Sequence, residues 1–199
     1  MRTVFSALLF ASLLVGCGSD DGSPRVRVLV EAAPAVTAPV AAVATVTPLS
    51  PAVAAKLAEI RAILERKSLT RLVRLASAEE NFVSNFAGES HRVHWDLLRR
   101  TGFDPLMRLG ALLDGPYGTR QVGDQTWYIW PDFAAEEAED LLPELLNFTD
   151  RARLRDLVGD VGLERIRNGE SYPGIRTAIA EDGRWLYFVH ETVQETESE

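Results

Sequence analysis

Two of the three histidines in this 199-residue chain, His91 and His94, stand three residues apart, with Asp96 two further on. On a helix, that spacing turns both imidazoles to one side, where they can share a divalent metal. A zinc or iron centre needs a third protein ligand, and the donors in reach are Glu89 and His190, the latter only if the fold returns the end of the chain to this helix. The plainer reading is a pair of surface histidines at a helix start capped by Ser90. No metal or other cofactor is expected.

Glu136, Glu137, Glu139 and Asp140 form a second constellation. Paired carboxylates run general acid/base chemistry when one of them sits in an apolar pocket and its pKa is driven away from the other's. Consecutive acids opposite Leu141, Leu142, Leu145 and Leu146 read more simply as the solvated face of an amphipathic helix, with Asp132 as its N-cap. A third group, Arg151, Arg153, Arg155, Arg165 and Arg167, suits bidentate capture of a carboxylate or phosphate. The interleaved Asp150, Asp156, Asp160 and Glu164 are placed to neutralise it. Nucleophile-elbow, Ser-x-x-Lys, phosphate-loop and dinucleotide motifs are missing from the sequence, and no cysteine follows Cys17.

Aromatic residues concentrate in the C-terminal half. In the segment ending at Trp130, strand alternation sets Trp127 and Ile129 against Tyr128 and Trp130. In the last apolar run it sets Trp185, Tyr187 and Val189 against Leu186 and Phe188. If helices cover one sheet face only, Trp127, Tyr128, Trp130, Tyr172, Trp185 and Tyr187 are candidates for an aromatic surface that binds a protein, peptide or glycan. If helices cover both faces, the same residues are core. Tyr172-Pro173-Gly174 reads as a turn into the third strand.

Helix signals dominate the elements that would position these groups up to Gly115. Ser50-Pro51 is a cap followed by proline at the first helical position, and Val53, Leu57, Ile60 and Leu64 recur on one face. Leu69, Leu72, Val73 and Ala76 predict a second helix, and Ser77 with Glu80 resembles a capping box before Phe82, Val83 and Phe86. Ser90 opens a helix to Arg100, and Asp104-Pro105 opens one that ends at Asp114-Gly115-Pro116. Residues 119–122 and 125–130 flank Gly123-Asp124, and residues 175–180 and 184–190 flank Glu181-Asp182-Gly183, which predicts two hairpins. Between them the pattern predicts an acidic helix over 134–142 and helices over 149–158 and 160–168. The fold class is α+β: a helical N-terminal half and a small antiparallel sheet in one domain over 50–191, followed by a disordered acidic tail over 192–199.

Composition narrows the function classes. The formal charge is −8, with 29 acidic against 21 basic residues, so a nucleic-acid partner is disfavoured for want of a basic footprint. Hydrophobic content of 46% is that of an ordinary folded chain. A single cysteine excludes an intramolecular disulfide and a cysteine-based zinc cluster.

That cysteine follows a short n-region with Arg2 and an apolar run from Val4 to Val15, too short for the roughly 20 residues that span a bilayer. The run ends in Leu14-Val15-Gly16-Cys17, which resembles the bacterial lipobox. The resemblance implies that 1–16 are a signal peptide cut before Cys17, and that Cys17 carries a diacylglycerol thioether with further acylation, of the palmitate kind, on its amine. Two or three acyl chains, at about 0.8 kcal/mol per buried CH₂, give durable membrane anchoring. The position after Cys17 holds Gly18 instead of the aspartate that retains such proteins in the inner membrane. The implied site is therefore the periplasmic side of the envelope, leaning to the outer membrane. From Gly18 to Ser50 an Ala/Val/Thr-rich stretch broken by Pro24, Pro34, Pro39 and Pro48 reads as a tether over 17–49, able to reach about 100 Å when extended; a short strand at 26–30 is the competing reading. The expected function is a lipid-anchored envelope binding or accessory module. The alternatives are a periplasmic hydrolase or metal-dependent enzyme using His91 and His94, and a structural spacer.

Overall fold

The computed structural model describes residues 47–191. The signal peptide, Cys17, the tether, the 26–30 strand and the acidic tail lie outside the described residues.

Four helices form where the capping and apolar patterns place them. Helix α1 (Pro51–Glu65) starts with Ser50 Oγ accepting from the Val53 amide at 3.2 Å, and buries Val53, Leu57 and Ile60. Helix α2 (Leu69–Ala78) is capped by Ser68, α3 (His91–Arg100) by Ser90, and α4 (Pro105–Asp114) by Asp104, which accepts from the Leu106 amide at 3.0 Å. The capping box expected at Ser77 does not form. Helix α2 runs through Ala78, so Ser77 is an exposed residue of its last turn, while Leu69, Leu72 and Ala76 bury the opposite face.

A four-stranded antiparallel sheet follows, in the order β1 (Gly118–Val122), β2 (Gln125–Trp130), β3 (Arg176–Ala180) and β4 (Trp185–Val189). Both predicted hairpins are present: Val122 pairs with Gln125 across Gly123-Asp124, and β3 pairs with β4. Val83 bridges the far edge of β4, donating its amide to Leu186 and accepting from the Phe188 amide. The fold class is α+β, as the sequence predicts.

Between β2 and β3 the chain departs from expectation. Only a 3₁₀ turn forms at Asp132–Ala135, followed by irregular turns, where the sequence predicts an acidic helix. Carboxylates at 136, 139 and 140 would repel at helical spacing, and Arg120 takes the Ala135 and Glu136 carbonyls as acceptors. Asp132, expected as an N-cap, instead pairs with Arg153 at 2.6 Å. Helix α5 (Phe148–Arg167) is two helical pieces joined at Gly159, whose φ of 67° only glycine adopts without strain. That break falls between the two helices read from sequence.

The inner sheet face meets the four N-terminal helices. Tyr128, Trp130, Ile179, Trp185 and Phe188 share one core with Val53, Ile60, Leu72, Trp95 and Leu109. On the outer face Ile129 and Ala178 are roofed at one end by the 3₁₀ turn, close enough that a Cβ on Gly118 would stand 2.6 Å from that of Ala135. Phe133, Leu141, Leu154, Leu163, Ile166 and Tyr172 form a second core around α5. At the start of the domain Leu49 packs into the main core, while the Thr47 and Pro48 carbonyls accept from the hydroxyls of Tyr117 and Tyr128.

Candidate functional site

The histidines do not assemble as the spacing suggests. His91 Nδ1 lies 2.8 Å from Ser84 Oγ, and its ring meets Phe82 edge-on. His94 turns towards Glu89, whose carboxylate stands 3.9 Å from Nδ1, too far for a hydrogen bond. Asp96 is engaged by Arg92 at 2.9 Å. His190, at the end of β4, stacks on Phe103 with ring centroids 4.3 Å apart. His94 Nε2 and His190 Nδ1 are buried without a hydrogen-bond partner.

Burial holds all three imidazoles below their usual pKa; for His190 the Arg108 charge and His94 add to it, and for His94 the pull of Glu89 opposes it. Among the described residues no three His, Cys, Asp or Glu side chains gather as metal ligands. The Ser84–His91 pair has the composition of a nucleophile and its base, but Ser84 is only 2% exposed and Asn85 Nδ2 also donates to its oxygen. Its evident work is to fix the 82–90 loop to the start of α3.

The acids at 136, 137, 139 and 140 are exposed around the irregular segment and make no enclosed pair. Burial, then Asp140 and Asp132, raise the Glu136 carboxyl, and Arg120 counteracts them. The arginines of α5 are spoken for: Arg153 by Asp132, Arg155 by Asp160, Arg165 by Glu170 and Glu191, and Arg167 by Glu144 and Glu164, while Arg151 donates to the Leu146 carbonyl. The neutralised reading of this cluster fits that arrangement.

The aromatic surface read from sequence needs the largest correction. Tyr128, Trp130 and Trp185 are core residues of the inner face, and Tyr172 is core against α5. The division of β2 holds, with Tyr128 and Trp130 inward and Trp127 outward. In β4 strict alternation fails: a register shift at Ala178/Ile179 sets Ala178 opposite Tyr187 but Ile179 opposite Trp185. Leu186 is the extra residue, so Trp185 joins Phe188 inside while Leu186 and Tyr187 face out. The indole of Trp185 donates to Thr177 Oγ1 at 2.8 Å, and that hydroxyl donates to the Tyr187 carbonyl at 2.6 Å.

Of the six candidate aromatics, Trp127 and Tyr187 remain on the outer face, half-buried, with ring centroids 6.4 Å apart. Among the described residues their apolar neighbours on this face come from the sheet and from the 3₁₀ turn at Ala134 and Ala135. Beside Tyr187, a shallow groove of about 250 Å³ is lined by Val83, Phe86, Arg176, Tyr187 and Val189. Phe86 is 73% exposed, although its loop is well fastened: the Asn85 side chain both donates to and accepts from the Glu89 backbone. Arg176 is held by Glu191 and by the Tyr172 and Gly174 carbonyls. Val83, Phe86 and Arg176 are additions to the site; the turn containing Phe82, Val83 and Phe86 is visible in sequence, but not its docking on β4. In comparison with known proteins, no family model, no curated protein and no solved structure matches the chain.

Proposed function

We propose that this chain is a lipid-anchored protein of the cell envelope whose domain is a binding module facing the periplasm, with the outer sheet face as its contact surface. The anchor rests on the lipobox resemblance at Leu14-Val15-Gly16-Cys17 and on the proline-broken tether that follows. The single observation that carries the binding reading is the outer-face groove. A fixed loop there holds a large aromatic side chain, Phe86, in solvent beside Tyr187, while His91 is engaged by Ser84 and four of the five arginines of α5 by carboxylates. A fixed loop that sets an apolar ring beside a second aromatic side chain and an apolar groove offers a surface that a partner's apolar side chain can fill.

The enzyme alternative needs His91 and His94 to face a common acid across an open pocket, and the directions of their side chains do not favour it. The module's expected partner is a protein or peptide that inserts an apolar side chain between Phe86 and Tyr187. The test is co-isolation of the tagged chain from native envelopes after brief crosslinking, in wild type, Cys17→Ala and Phe86→Ala, with labelled palmitate incorporation read in the same material. Label and a stoichiometric partner in wild type, both lost with Cys17→Ala and the partner alone lost with Phe86→Ala, support the reading. A partner that survives Phe86→Ala removes the groove from it, and absence of label in wild type removes the anchor.

A further inference from the structure

A second groove lies on the opposite layer of the molecule, between α1 and α2. It measures about 470 Å³ and is lined by Ala62, Ile63, Leu75 and Ala78 along its floor and by Glu59, Arg66, Arg71 and Arg74 along its rim. Ile63 and Leu75 are half-buried and continuous with the main core, so the floor is fixed by packing. All three rim arginines are exposed. Among the described residues none of their guanidinium groups has a carboxylate within ion-pair distance, nor any side-chain hydrogen bond. Glu59, the one acid on the rim, is engaged by Lys56 at 3.0 Å. Glu65 and Lys67, of opposite charge on either side of Arg66, are exposed and both lie outside the groove lining.

This is a chain with 29 acidic residues against 21 basic ones, so three unpaired arginines on one groove do not follow from a shortage of acids. The contrast with α5 is direct: there four of the five arginines are matched with carboxylates, and here all three are left open over an apolar floor. Guanidinium groups left this way suit bidentate capture of carboxylates, and a trough between two helices takes the apolar side of an incoming segment.

We infer that the α1–α2 groove is a docking site for an acidic peptide segment of a partner protein, its apolar side chains on Ile63 and Leu75 and its carboxylates on Arg66, Arg71 and Arg74. A bilayer surface is the less fitting occupant, because the apolar groups lie at the bottom of a concavity where a planar membrane does not reach, and no large apolar side chain projects from the rim. The site is separate from the outer sheet face and does not depend on it.

The test uses the full-length chain and a fluorescein-labelled helical peptide of about 14 residues, with leucines at i, i+3, i+4 and i+7 and glutamates flanking them. A version with lysine in place of every glutamate is the control. Anisotropy is read at about 50 and 300 mM salt. The glutamate peptide binds at least about tenfold more tightly than the lysine peptide, and its binding weakens with salt. The pair Arg71→Glu and Arg74→Glu lowers that affinity at least about tenfold without changing the thermal midpoint, because both residues are exposed and unpaired. Arg151→Glu with Arg155→Glu, and separately Phe86→Ala, leave it unchanged. The inference is overturned by no binding up to about 1 mM peptide, by equal binding of the lysine peptide, or by indifference to the Arg71 and Arg74 reversals. It is also overturned if phosphatidylglycerol vesicles, and not the peptide, are held through the same arginines.

Discussion

Replacing Thr177 by valine separates a core Trp185 from a surface one. Thr177 is fully buried, and its hydroxyl accepts from the Trp185 indole at 2.8 Å while donating to the Tyr187 carbonyl at 2.6 Å. Valine keeps the shape and removes both bonds. The indole N–H is then buried with no acceptor, which costs about 1–3 kcal/mol; the Tyr187 carbonyl loses less because it has a second lone pair. In a domain of about 150 residues each kcal/mol moves the midpoint by roughly 3 °C, so Thr177→Val lowers Tm by about 3–9 °C. Far-UV circular dichroism against temperature measures this directly. Trp185→Phe removes the donor and shrinks the ring, but combining it with Thr177→Val costs less than the sum, since the unpaired N–H is gone in the double variant. A shift under about 1 °C for Thr177→Val, or strict additivity of the pair, refutes the burial of Trp185 and the register shift that puts it there.

Three further outcomes are expected. Gly118→Ala drives a Cβ to 2.6 Å from the Ala135 Cβ and 2.9 Å from the Asp132 carbonyl, and so lowers stability by about 1–3 kcal/mol in urea melts; a neutral result contradicts the close seating of the 3₁₀ turn on β1. Arg153→Ala removes the 2.6 Å pair with Asp132 and the guanidinium packed 4.2 Å over Phe133, and costs about 1–2 kcal/mol, whereas Arg155→Ala, at an exposed pair with Asp160, stays within about 0.5 kcal/mol. Stability also falls with acid. Burial depresses the folded-state pKa of His94 and His190 below the unfolded value near 6.5, so the unfolded chain binds more protons between those values, and stability is present above about pH 6.5 and lost as pH falls through that window. Arg108, His91 and the neighbouring imidazole deepen the effect and Glu89 opposes it, so the difference in Tm between pH 7 and pH 5.5 is larger in wild type than in His94→Gln/His190→Gln; equal differences contradict it.

The helical half was legible because its signals are local. Ser50-Pro51, Ser90 and Asp104-Pro105 each place a capping oxygen one residue before an apolar 3.6-residue pattern, and all three cap as read. The Gly123-Asp124 hairpin was equally local. Failures came where a distant partner decides. The acids at 136–140 sit on a helical pattern, but Arg120 from β1 takes the carbonyls there. Alternation assigned the two sides of β2 correctly and those of β4 incorrectly, because one inserted residue, Leu186, reverses every side chain beyond it. Periodicity also says nothing about which sheet side the helices cover, so Trp127 and Tyr187 could not be told from Trp130 and Trp185 as contact residues. The three-residue spacing of His91 and His94 does fall on one helix, yet a loop residue, Ser84, takes one ring, while Glu89 stands 3.9 Å from the other.

The most direct measurement on the central claim is photocrosslinking in native envelopes with a reactive amino acid placed at Phe86 and, as a control of matched exposure, at Leu145. These side chains are 73% and 71% exposed, so solvent access alone gives equal yields. A discrete adduct from position 86, absent from position 145 and lost when Cys17 is replaced by alanine, is the predicted result. Equal or no adduct at the two positions, or one indifferent to Cys17, contradicts the account of a tethered module that binds through its outer face.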